Sequence, residues 1–474
     1  MEIINDKALL LHLRDPSRVT SVIPKSKDLG DNKVLVNWGL QEAVRLNALD
    51  IKAPSPIEKL YQWTGKYKPF KHQITTAAFF TLNKKAFCFN EQGTGKTASA
   101  IWASDYLLKH KIIKRVLVIC PLSIMDIAWR DDLFTFATHR TVSVAYGAAE
   151  KRKNIINEGS EYVIINYDGV AIVLDEIKKG GFDLIIVDEA THYKNARTTR
   201  WKTLNKLVEE DTWLWMMTGT PAAQSPTDAY GLAKLINPNG VPRFFGSFKD
   251  QLMFKVTQFT WKVRESATDT VFRALQPAIR FTKEECLDLP EMIFTKRAVE
   301  LTAQQKKYYK QLKDKMVMDV TGEQVTAMNA AVSLNKLLQI SAGAVYTDDG
   351  STLEFDIKHR YKVLREVIDE SSQKILIFVP FKHVIDILTA KLRSEGITTE
   401  VIRGDVPAHK RTYIFKDFQE SVDPRVLVIQ PQAAAHGVTL TAKPTLEYTD
   451  QDRSTNLLWC NYKGLLLKDT FTSY

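Results

Sequence analysis

A short stretch near residue 93 contains the residue types that bind a phosphate group. The chain reads Asn90-Glu-Gln-Gly-Thr-Gly-Lys-Thr97 and continues into an alanine-rich segment with helical spacing. Glycines allow backbone N–H groups to turn inward at a helix N-terminus, where the partial positive charge favours an anion. We expect Lys96 to reach the β and γ phosphates of ATP and the Thr97 hydroxyl to bind Mg²⁺. The residues predicted to bind the nucleotide in this stretch are Gly93, Thr94, Gly95, Lys96 and Thr97.

The stretch departs at one position from the full phosphate-loop pattern GxxxxGK[ST]. Asn90 stands where that pattern has its first glycine. Asparagine adopts left-handed backbone angles more readily than other non-glycine residues, so we expect the departure to be chemically mild. The alternative is a glycine-rich turn with an incidental lysine, which the strand-like and helical segments on either side make the weaker interpretation.

Two carboxylates form the second candidate site. Asp188 and Glu189 directly follow an apolar run, and the ligands of open α/β sheets gather where strands end. Asp188 is suited to holding a hydrated Mg²⁺, and Glu189 to orienting or deprotonating an attacking water. An acidic pair alone is often a solvated turn, but this pair follows the phosphate loop by about 90 residues, which several strand–helix units can span. The predicted catalytic residues are Lys96, Asp188 and Glu189, and the predicted metal ligands are Thr97 and Asp188.

Short apolar runs separated by longer amphipathic stretches must position these residues. Such runs are typical of strands in a parallel sheet, and the intervals are long enough for crossover helices. The predicted strands of the first sheet are Ala86 to Phe89, Val116 to Cys120, Val163 to Ile165, Leu184 to Val187 and Trp213 to Met217. The same alternation of apolar runs and amphipathic stretches recurs in the C-terminal part of the chain. Its predicted strands are Ile375 to Val379, Thr399 to Ile402 and Val426 to Ile429. The sequence therefore predicts an α/β fold with two parallel-sheet domains.

Changes of pattern along the chain predict four segments. They are residues 1–60, a small N-terminal accessory unit; 61–236, the ATP-binding domain; 237–345, a helical insertion and linker; and 346–474, the second sheet domain. In the first segment, Val34, Val36 and Trp38 alternate with other residues as in a strand. The third contains a lysine-rich helix from Ala303 to Asp319, which is typical of a solvated face and also compatible with a nucleic-acid contact.

Composition and charge restrict the kind of protein and its partners. Apolar residues make up 45% and charged residues 25%, which is ordinary for a globular protein and excludes a fibrous or wholly disordered one. The net charge of +10 indicates either a polyanion partner such as nucleic acid or a solubility device. The four cysteines lie far apart without zinc-site spacing, which predicts reduced thiols in a cytoplasmic protein. No apolar run approaches the roughly 18 residues of a membrane span, and we expect no signal peptide.

These residues belong to an ordered series of motifs that resembles the motifs of superfamily 2 nucleic-acid motors, and among them those of the Swi/Snf-like translocases. The similarity runs over about residues 67 to 461. In the N-terminal half, the matching blocks are Lys68 to Gln73, Asn90 to Thr97, Cys120 to Ser123 with Trp129, Ile165 to Asp168, Asp188 to Asn195 and Thr218 to Pro221. In the C-terminal half, they are Arg280, Leu289-Pro290, Leu338 to Gly343, Lys374 to Pro380, Gly404 with Arg411, and His436 to Ala442. The ordered series carries the resemblance, because no single block is specific.

The resemblance implies two RecA-like lobes that bind Mg²⁺ and ATP in a cleft and move along DNA, with a duplex as the expected track. Loss of the γ-phosphate would change the contact between the lobes and move a surface that grips the strand. The resemblance further implies that Gln73 reads the adenine and that Thr218, Thr220 and Gly437 couple nucleotide state to movement. The implied nucleic-acid contacts are Ser123, Asn166, Lys194 and Thr439. For Ser123 and Asn166, the alternative is helix capping and turn formation.

The end of the sequence departs from this family. A helix with a glutamine and two arginines should follow the last block, but no arginine follows Arg453. Because an arginine finger is worth roughly 10³ to 10⁵ in rate, we expect ATP binding with impaired hydrolysis, and an incomplete second lobe from a shortened or frame-shifted ending. Two alternatives therefore stay open: a nucleotide-dependent nucleic-acid-binding protein without turnover, and a strand-separating DNA or RNA helicase.

Overall fold

Contacts within the computed structural model divide the chain into two units, Met1–Asp288 and Leu289–Tyr474. The structure describes residues 1–222, 225–257, 260–286, 294–322, 327–347, 351–371, 374–433, 456–461 and 464–468. The boundaries of the four segments inferred from the sequence stay predictions.

A small antiparallel sheet begins the first unit. Its elements are β1 (Glu2–Ile4), β2 (Ala8–His12), α1 (Ser17–Thr20), β3 (Ser26–Gly30), β4 (Lys33–Asn37) and α2 (Leu40–Ala48). The strands pair in the order β1-β2-β4-β3. Val34 and Val36 of β4 are fully buried and share a core with Leu46 of α2. The alternation predicted for this strand is confirmed.

A parallel sheet forms the body of the first unit. Its strands and crossover helices are α3 (Ile57–Leu60), α4 (Lys71–Leu82), β5 (Lys85–Cys88), α5 (Lys96–Lys109), β6 (Val116–Cys120), α6 (Asp131–Phe136), β7 (Val142–Ala145), α7 (Ala149–Asn157), β8 (Tyr162–Asn166), α8 (Tyr167–Ile172), α9 (Leu174–Lys179), β9 (Leu184–Val187), α10 (Thr199–Asn205) and β10 (Trp213–Met217). The unit then continues with α11 (Ala229–Ile236), α12 (Phe245–Leu252), β11 (Met253–Lys255), β12 (Trp261–Val263), α13 (Ala267–Ala274), β13 (Ala278–Ile279) and α14 (Lys283–Cys286). Short 3₁₀ turns lie at Leu122–Ile124, Ala190–Tyr193, Pro226–Asp228 and Pro238–Gly240, and a π-helix lies at Met125–Arg130.

Seven strands pair in this sheet in the order β13-β5-β10-β9-β6-β8-β7, and every neighbouring pair is parallel. All the strands predicted for the first sheet are present, with ends within one residue of the prediction. Two separate cores cover the two faces: Ala86 and Cys88 point into one, and Phe87 and Phe89 into the other. Burial of both faces explains why these strands read as continuous apolar runs.

The second unit contains a further sheet. Its elements are β14 (Phe294–Arg297), α15 (Ala303–Gly322), α16 (Ala327–Ala342), β15 (Ala344–Tyr346), β16 (Thr352–Glu354), α17 (Lys358–Glu370), β17 (Ile375–Phe378), α18 (Lys382–Ser394), β18 (Thr399–Ile402), α19 (Ala408–Glu420), β19 (Val426–Ile429), a 3₁₀ turn at Pro431–Ala433, β20 (Asn456–Asn461) and β21 (Gly464–Lys468).

The six strands of that sheet pair in the order β14-β21-β20-β17-β19-β18. The stretch from β20 to β18 is parallel, and β21 pairs antiparallel with both of its neighbours. All the strands predicted for the second sheet are present, so the α/β fold with two sheets is confirmed. The hairpin of β20 and β21 was not predicted, and an incomplete second lobe stays a prediction.

The described residues also bear on the cysteines and the membrane. Cys88 and Cys120 are buried free thiols, and burial raises the pKa of Cys88 to about 11. A thiol with so high a pKa stays protonated and unreactive at neutral pH. None of the described helices is both long enough and apolar enough to cross a bilayer.

Candidate nucleotide-binding site

Three neighbouring strands bring the predicted chemistry to one edge of the seven-stranded sheet. β5, β10 and β9 are adjacent and parallel, so their carboxyl ends lie at the same edge. The phosphate loop follows β5, Thr218 follows β10, and Asp188 follows β9. The structure therefore brings together segments that are far apart in the sequence.

The phosphate loop turns through two glycines into a helix. Gly93 and Gly95 have φ angles of +84° and +76°, in the left-handed region that favours glycine. Gly95 is the N-cap of α5, which begins at Lys96 and has Thr97 in its first turn. The first backbone N–H groups of such a helix lack partners within the helix and can bind an anion.

The Lys96 side chain folds back over this loop. Its Nζ donates a hydrogen bond to the carbonyl oxygen of Glu91 at 3.1 Å, and Thr94 Oγ1 donates to the same oxygen at 2.8 Å. The Lys96 charge also acts on Asp188, whose pKa it lowers. The lysine and the carboxylate therefore interact electrostatically across the sheet edge.

Asn90 anchors the loop rather than serving as a substitute for glycine. It is fully buried and is absent from the residues with positive φ, so it does not use the left-handed backbone that asparagine tolerates. Its Nδ2 donates to Thr76 Oγ1 at 2.9 Å, and its Oδ1 accepts from the Phe281 N–H at 3.0 Å. A glycine here would lose both bonds and leave the Phe281 N–H without this acceptor. The departure from the phosphate-loop pattern thus has a structural cause.

Gln73 lies against the phosphate loop from α4. Its Oε1 accepts from the Phe70 N–H at 2.9 Å, and its Nε2 donates to the Thr94 carbonyl at 3.4 Å. His72 contacts the same carbonyl through Nε2 at 2.8 Å. A Cβ on Gly95 would collide with Gln73 Nε2, which gives a steric reason for glycine at that position. The role of Gln73 in reading adenine stays a prediction.

Asp188 is buried at the carboxyl end of β9, and both of its carboxylate oxygens accept hydrogen bonds. Its Oδ2 accepts from Trp129 Nε1 and its Oδ1 from the Glu189 N–H, each at 2.9 Å. Burial raises the pKa of this carboxyl, whereas the Lys96 charge and the Trp129 hydrogen bond lower it. A cation would offset the burial of this negative charge, and each oxygen keeps a lone pair to offer one.

These donors fit Mg²⁺ bound together with a nucleotide. In proteins, Mg²⁺ commonly takes one or two carboxylates and completes its shell with phosphate oxygens and water. Asp188 supplies such a carboxylate, and a hydroxyl lies at Thr97. Among the described residues, no group of three or more His, Cys, Asp and Glu side chains could hold a metal ion.

Glu189 joins the three loops at this edge. Its Oε1 accepts from Gln92 Nε2 at 3.3 Å, and its Oε2 accepts from Thr218 Oγ1 at 3.2 Å. The backbone of Glu189 has a φ of 47°, an uncommon conformation for a residue with a Cβ. Thr218 is fully buried, and its Oγ1 also accepts from the Thr220 N–H at 3.3 Å. A displacement of the Glu189 carboxylate can therefore be transmitted to the loop after β10, through its hydrogen bond with Thr218 and the bond between Thr218 and Thr220.

Trp129 is a site residue for which the sequence analysis predicts no role. It is fully buried in the π-helix Met125–Arg130 after β6, and its indole N–H donates to Asp188. π-Helical turns are rare and occur frequently at functional sites. The only feature of the sequence that could have indicated a role for Trp129 is its position just after the Cys120 to Ser123 block. Its hydrogen-bond partner, Asp188, lies 59 residues further along the chain, so the contact could not be predicted from spacing.

We expect Trp129→Phe to weaken the magnesium-dependent part of nucleotide binding. Loss of a side chain that orients a metal-binding carboxylate typically costs roughly 10- to 100-fold in metal affinity or activity. A fluorescent ATP analogue titrated with Mg²⁺ and with EDTA measures this. Binding should fall about tenfold with Mg²⁺ and stay unchanged in EDTA.

The matched control for this prediction is Trp102→Phe. Trp102 is equally buried, and its Nε1 donates to the Thr64 carbonyl at 2.9 Å, outside the site. If both variants bind the analogue alike, or if Trp129→Phe loses as much affinity in EDTA, then Trp129 does not position the carboxylate of Asp188.

Asp132 is a carboxyl with an altered titration close to this site. Burial, together with the charges of Asp131 and Asp188, raises its pKa to about 7. The folded protein therefore holds this proton more tightly than the unfolded chain, so the stabilisation is complete at low pH and disappears as pH rises through 7. Because one pKa unit is worth about 1.4 kcal/mol, the free energy of unfolding should fall by about that amount between pH 6 and pH 8.

Asp132→Asn should remove this part of the pH dependence. Denaturant unfolding of the variant and the wild type at both pH values measures it, with Asp175→Asn on the exposed face of α9 as the control. The quantity to compare is the free energy of unfolding of the variant minus that of the wild type. This difference should be about 1 kcal/mol larger at pH 8 than at pH 6. An equal difference at the two pH values would contradict the raised pKa.

The residues predicted to contact nucleic acid in the first unit lie on three loops at the same sheet edge. Ser123 is exposed in the 3₁₀ turn Leu122–Ile124, without a capping hydrogen bond. Asn166 Oδ1 accepts from Arg152 Nη1 at 2.9 Å and does not cap α8. Lys194 Nζ forms an ion pair with Asp228 at 3.0 Å. Asn166 and Lys194 therefore have partners within the protein.

The matching blocks of the second unit are described in part. Gly437 and Thr439 lie outside the described residues. Lys374 is buried, and its Nζ donates to the Phe418 carbonyl at 2.6 Å and the Ser421 carbonyl at 2.7 Å. Burial lowers the pKa of this ammonium group. Its contacts serve the fold of the second unit.

Comparison with known proteins agrees with the order of these blocks. The model of the SNF2-related domain matches residues 72–343, and that of the helicase conserved C-terminal domain matches residues 359–455. An uncharacterized ATP-dependent helicase of Mycoplasma genitalium is 24% identical over 372 residues, which are 76% of this chain and 34% of that protein. Protein p41 of Acyrthosiphon pisum secondary endosymbiont phage 1 is 24% identical over 392 residues, covering 79% of this chain and 82% of that protein.

The chain thus spans about a third of the length of the Mycoplasma genitalium protein, and the same share of an ATP-dependent helicase of Mycoplasma pneumoniae. Among solved structures, the Sulfolobus solfataricus SWI2/SNF2 ATPase core in complex with dsDNA is similar, with a TM-score of 0.43 and 22% identity. The similarity covers 78% of this chain and 80% of that one.

Proposed function

Because this chain belongs to the SNF2-related domain family, whose model matches residues 72–343, we propose that it is an ATP-dependent DNA translocase. It would couple hydrolysis of Mg-ATP to movement along duplex DNA. The observation that carries this proposal is the meeting of three loops at one sheet edge, where Glu189 accepts hydrogen bonds from Gln92 and Thr218. A site that only bound phosphate would not need these connections.

Nucleotide binding is assigned to the phosphate loop. The backbone N–H groups at the start of α5 would hold the phosphates, and Lys96 would leave the Glu91 carbonyl to contact the β and γ phosphates. Thr97 and Asp188 would hold Mg²⁺, which supplies charge neutralisation for the phosphates. Gln73, already against the loop, would read the adenine.

Hydrolysis is assigned to Glu189. Its carboxylate lies beside the metal-binding carboxyl, where it can orient a water and take its proton. Because Glu189 also accepts from Thr218, loss of the γ-phosphate would be felt in the loop after β10. Thr218 and Thr220 are therefore the residues that would pass the nucleotide state on, together with Gly437.

DNA binding is assigned to the loops that follow β6, β8 and β9. Ser123 would contact a phosphate directly, whereas Asn166 and Lys194 would exchange their partners Arg152 and Asp228 for the DNA backbone. Contacts of this kind give salt-dependent grip that is largely independent of sequence. Thr439 would add a contact from the second unit.

The test is ATP hydrolysis measured without polymer and with duplex DNA, single-stranded DNA or RNA. Stimulation by duplex DNA alone supports translocation. Stimulation by single strands favours a strand-separating helicase instead. ATP binding without hydrolysis in all four conditions would favour a nucleotide-dependent nucleic-acid-binding protein that lacks turnover.

A further inference from the structure

A small hairpin in the first unit exposes both of its faces. β11 and β12 pair antiparallel, with Phe254 opposite Lys262 and Lys255 opposite Trp261. All of the described side chains from Phe254 to Val263 are exposed except that of Trp261, which is half-buried. Met253 at the start of β11 packs against a core of the first unit, but the rest of this two-stranded hairpin gains little from burial. Its side chains are therefore available for a partner.

Each face of the hairpin combines an aromatic ring with basic groups. On one face, Lys249 Nζ lies 3.5 Å from the ring centre of Trp261, beside Lys255. On the other face, the Arg264 guanidinium lies 5.7 Å from the ring centre of Phe254, which is 41% exposed. Lys262 is the neighbour of Phe254 across the strands. Both faces therefore present an apolar ring framed by positive charge.

The charge of the hairpin indicates an anionic partner. From Arg243 to Arg264 the sequence contains five basic residues and a single acidic one, Asp250. The backbone carbonyl of Asp250 accepts from Arg264 Nε at 3.0 Å, which fixes the guanidinium near the ring of Phe254. A protein partner with an acidic surface would satisfy the charges but leave the rings without a specific role. Nucleic acid satisfies both groups at once.

The exposed rings favour unpaired bases over a duplex. In a double helix the base faces are covered by their neighbours, so a protein reaches mainly phosphates and groove edges. Single strands present base faces that stack on aromatic side chains while basic groups contact the backbone. The alternation of Phe254, Trp261 and basic residues on the hairpin matches this second pattern.

The hairpin also has a structural link to a loop assigned to DNA. It follows α12, which packs against the 3₁₀ turn Pro226–Asp228. Asp228 in that turn pairs with Lys194. A strand held by the loop after β9 would therefore pass close to the element that carries the hairpin.

We propose that the hairpin of β11 and β12 binds single-stranded DNA, in addition to the duplex track. This inference rests on the proposed function, because it extends a DNA motor with a second contact. Trp261 and Phe254 stack on unpaired bases, and Lys255 and Lys262 contact phosphates. The protein would therefore engage DNA at a junction between duplex and single strand more tightly than a plain duplex.

The first test measures binding of fluorescein-labelled oligothymidylate by anisotropy, without nucleotide, beside a duplex of the same length. Phe254→Ala and Trp261→Ala should each weaken binding of the single strand roughly tenfold and leave duplex binding within about twofold, because stacking on aromatic rings applies only to exposed bases. The matched control is Tyr413→Ala, an aromatic residue of α19 that is 70% exposed. Wild-type affinity for oligothymidylate in both hairpin variants would overturn the proposal, as would an equal loss in Tyr413→Ala.

The second test separates charge from stacking. The double variant with Lys255→Gln and Lys262→Gln should reduce the slope of log affinity against log salt by about 1.4 for the single strand, since each phosphate contact contributes about 0.7. Phe254→Ala should lower affinity without changing this slope. An unchanged slope in the double variant would contradict phosphate contacts at the hairpin.

The hairpin proposal and the motor proposal fail in different ways. If duplex DNA stimulates ATP hydrolysis in the wild type and in all hairpin variants, but oligothymidylate binding does not depend on the hairpin, only the hairpin proposal fails. If none of the nucleic acids binds to the protein and none stimulates ATP hydrolysis, the proposed function fails as well.

Discussion

Lys96→Ala is expected to abolish measurable nucleotide binding. Burial raises the pKa of Asp188 and the Lys96 charge opposes this effect, while the lysine side chain lies over the phosphate loop. In the complex, Lys96 and the phosphates would form a hydrogen-bonded charge pair, and truncating one partner of such a pair costs about 2–5 kcal/mol, which corresponds to roughly 30-fold or more in affinity. Because Lys96 would contact the phosphates directly and not through the metal ion, more Mg²⁺ should not restore binding.

The measurement is a titration of a fluorescent ATP analogue over a range of Mg²⁺ concentrations. Lys109→Ala, at the other end of the same helix, is the matched control, because the described interactions of Lys109, with the Tyr61 ring at 6.0 Å and with the neighbouring His110, lie outside the phosphate loop. A thermal melt of each variant reports whether the fold is retained. Equal analogue affinity in the wild type and Lys96→Ala would refute the assignment of residues 90–97 to phosphate binding.

The strands of the two sheets could be predicted from the sequence because their burial is nearly complete. All residues of Val116–Cys120 are fully buried, so an apolar run of strand length marks the strand. Strands with weaker signals were missed. Val142–Ala145 lies at the sheet edge with three of its four residues only half-buried, and Ala278–Ile279 is two residues long. Short edge strands depend on their neighbours more than on their own sequence.

The candidate site could be predicted in its residue types but not in its contacts. A phosphate loop and an acidic pair are recognisable because their chemistry needs neighbours in the sequence, as with Gly95 and Lys96. The bond from Trp129 to Asp188 and that from Phe281 to Asn90 join residues 59 and 191 positions apart. Such pairs are set by strand order, which spacing does not reveal. For the same reason the sequence did not indicate that Lys194 pairs with Asp228.

Glu189→Gln is expected to separate nucleotide binding from turnover. The amide has nearly the same shape, keeps one acceptor oxygen for Gln92 or Thr218, and lies outside the phosphate loop, so binding should stay close to the wild type. It cannot take a proton from water at neutral pH, and loss of a general base costs roughly 10²- to 10⁴-fold in rate. Binding of the ATP analogue and steady-state phosphate release with duplex DNA measure the two effects.

The control for Glu189→Gln is the same substitution at an exposed glutamate, Glu158→Gln at the end of α7, which should hydrolyse ATP like the wild type. Thr218→Val gives an independent check on the connection between loops, because it keeps the carboxylate and removes the donor to Oε2, together with the acceptor of the Thr220 N–H in the same loop. If Glu189 is the base and Thr218 passes on its state, Thr218→Val should keep DNA-independent hydrolysis and lose stimulation by duplex DNA. Wild-type turnover in Glu189→Gln would assign the base to another residue, and full stimulation in Thr218→Val would remove the loop after β10 from the coupling route.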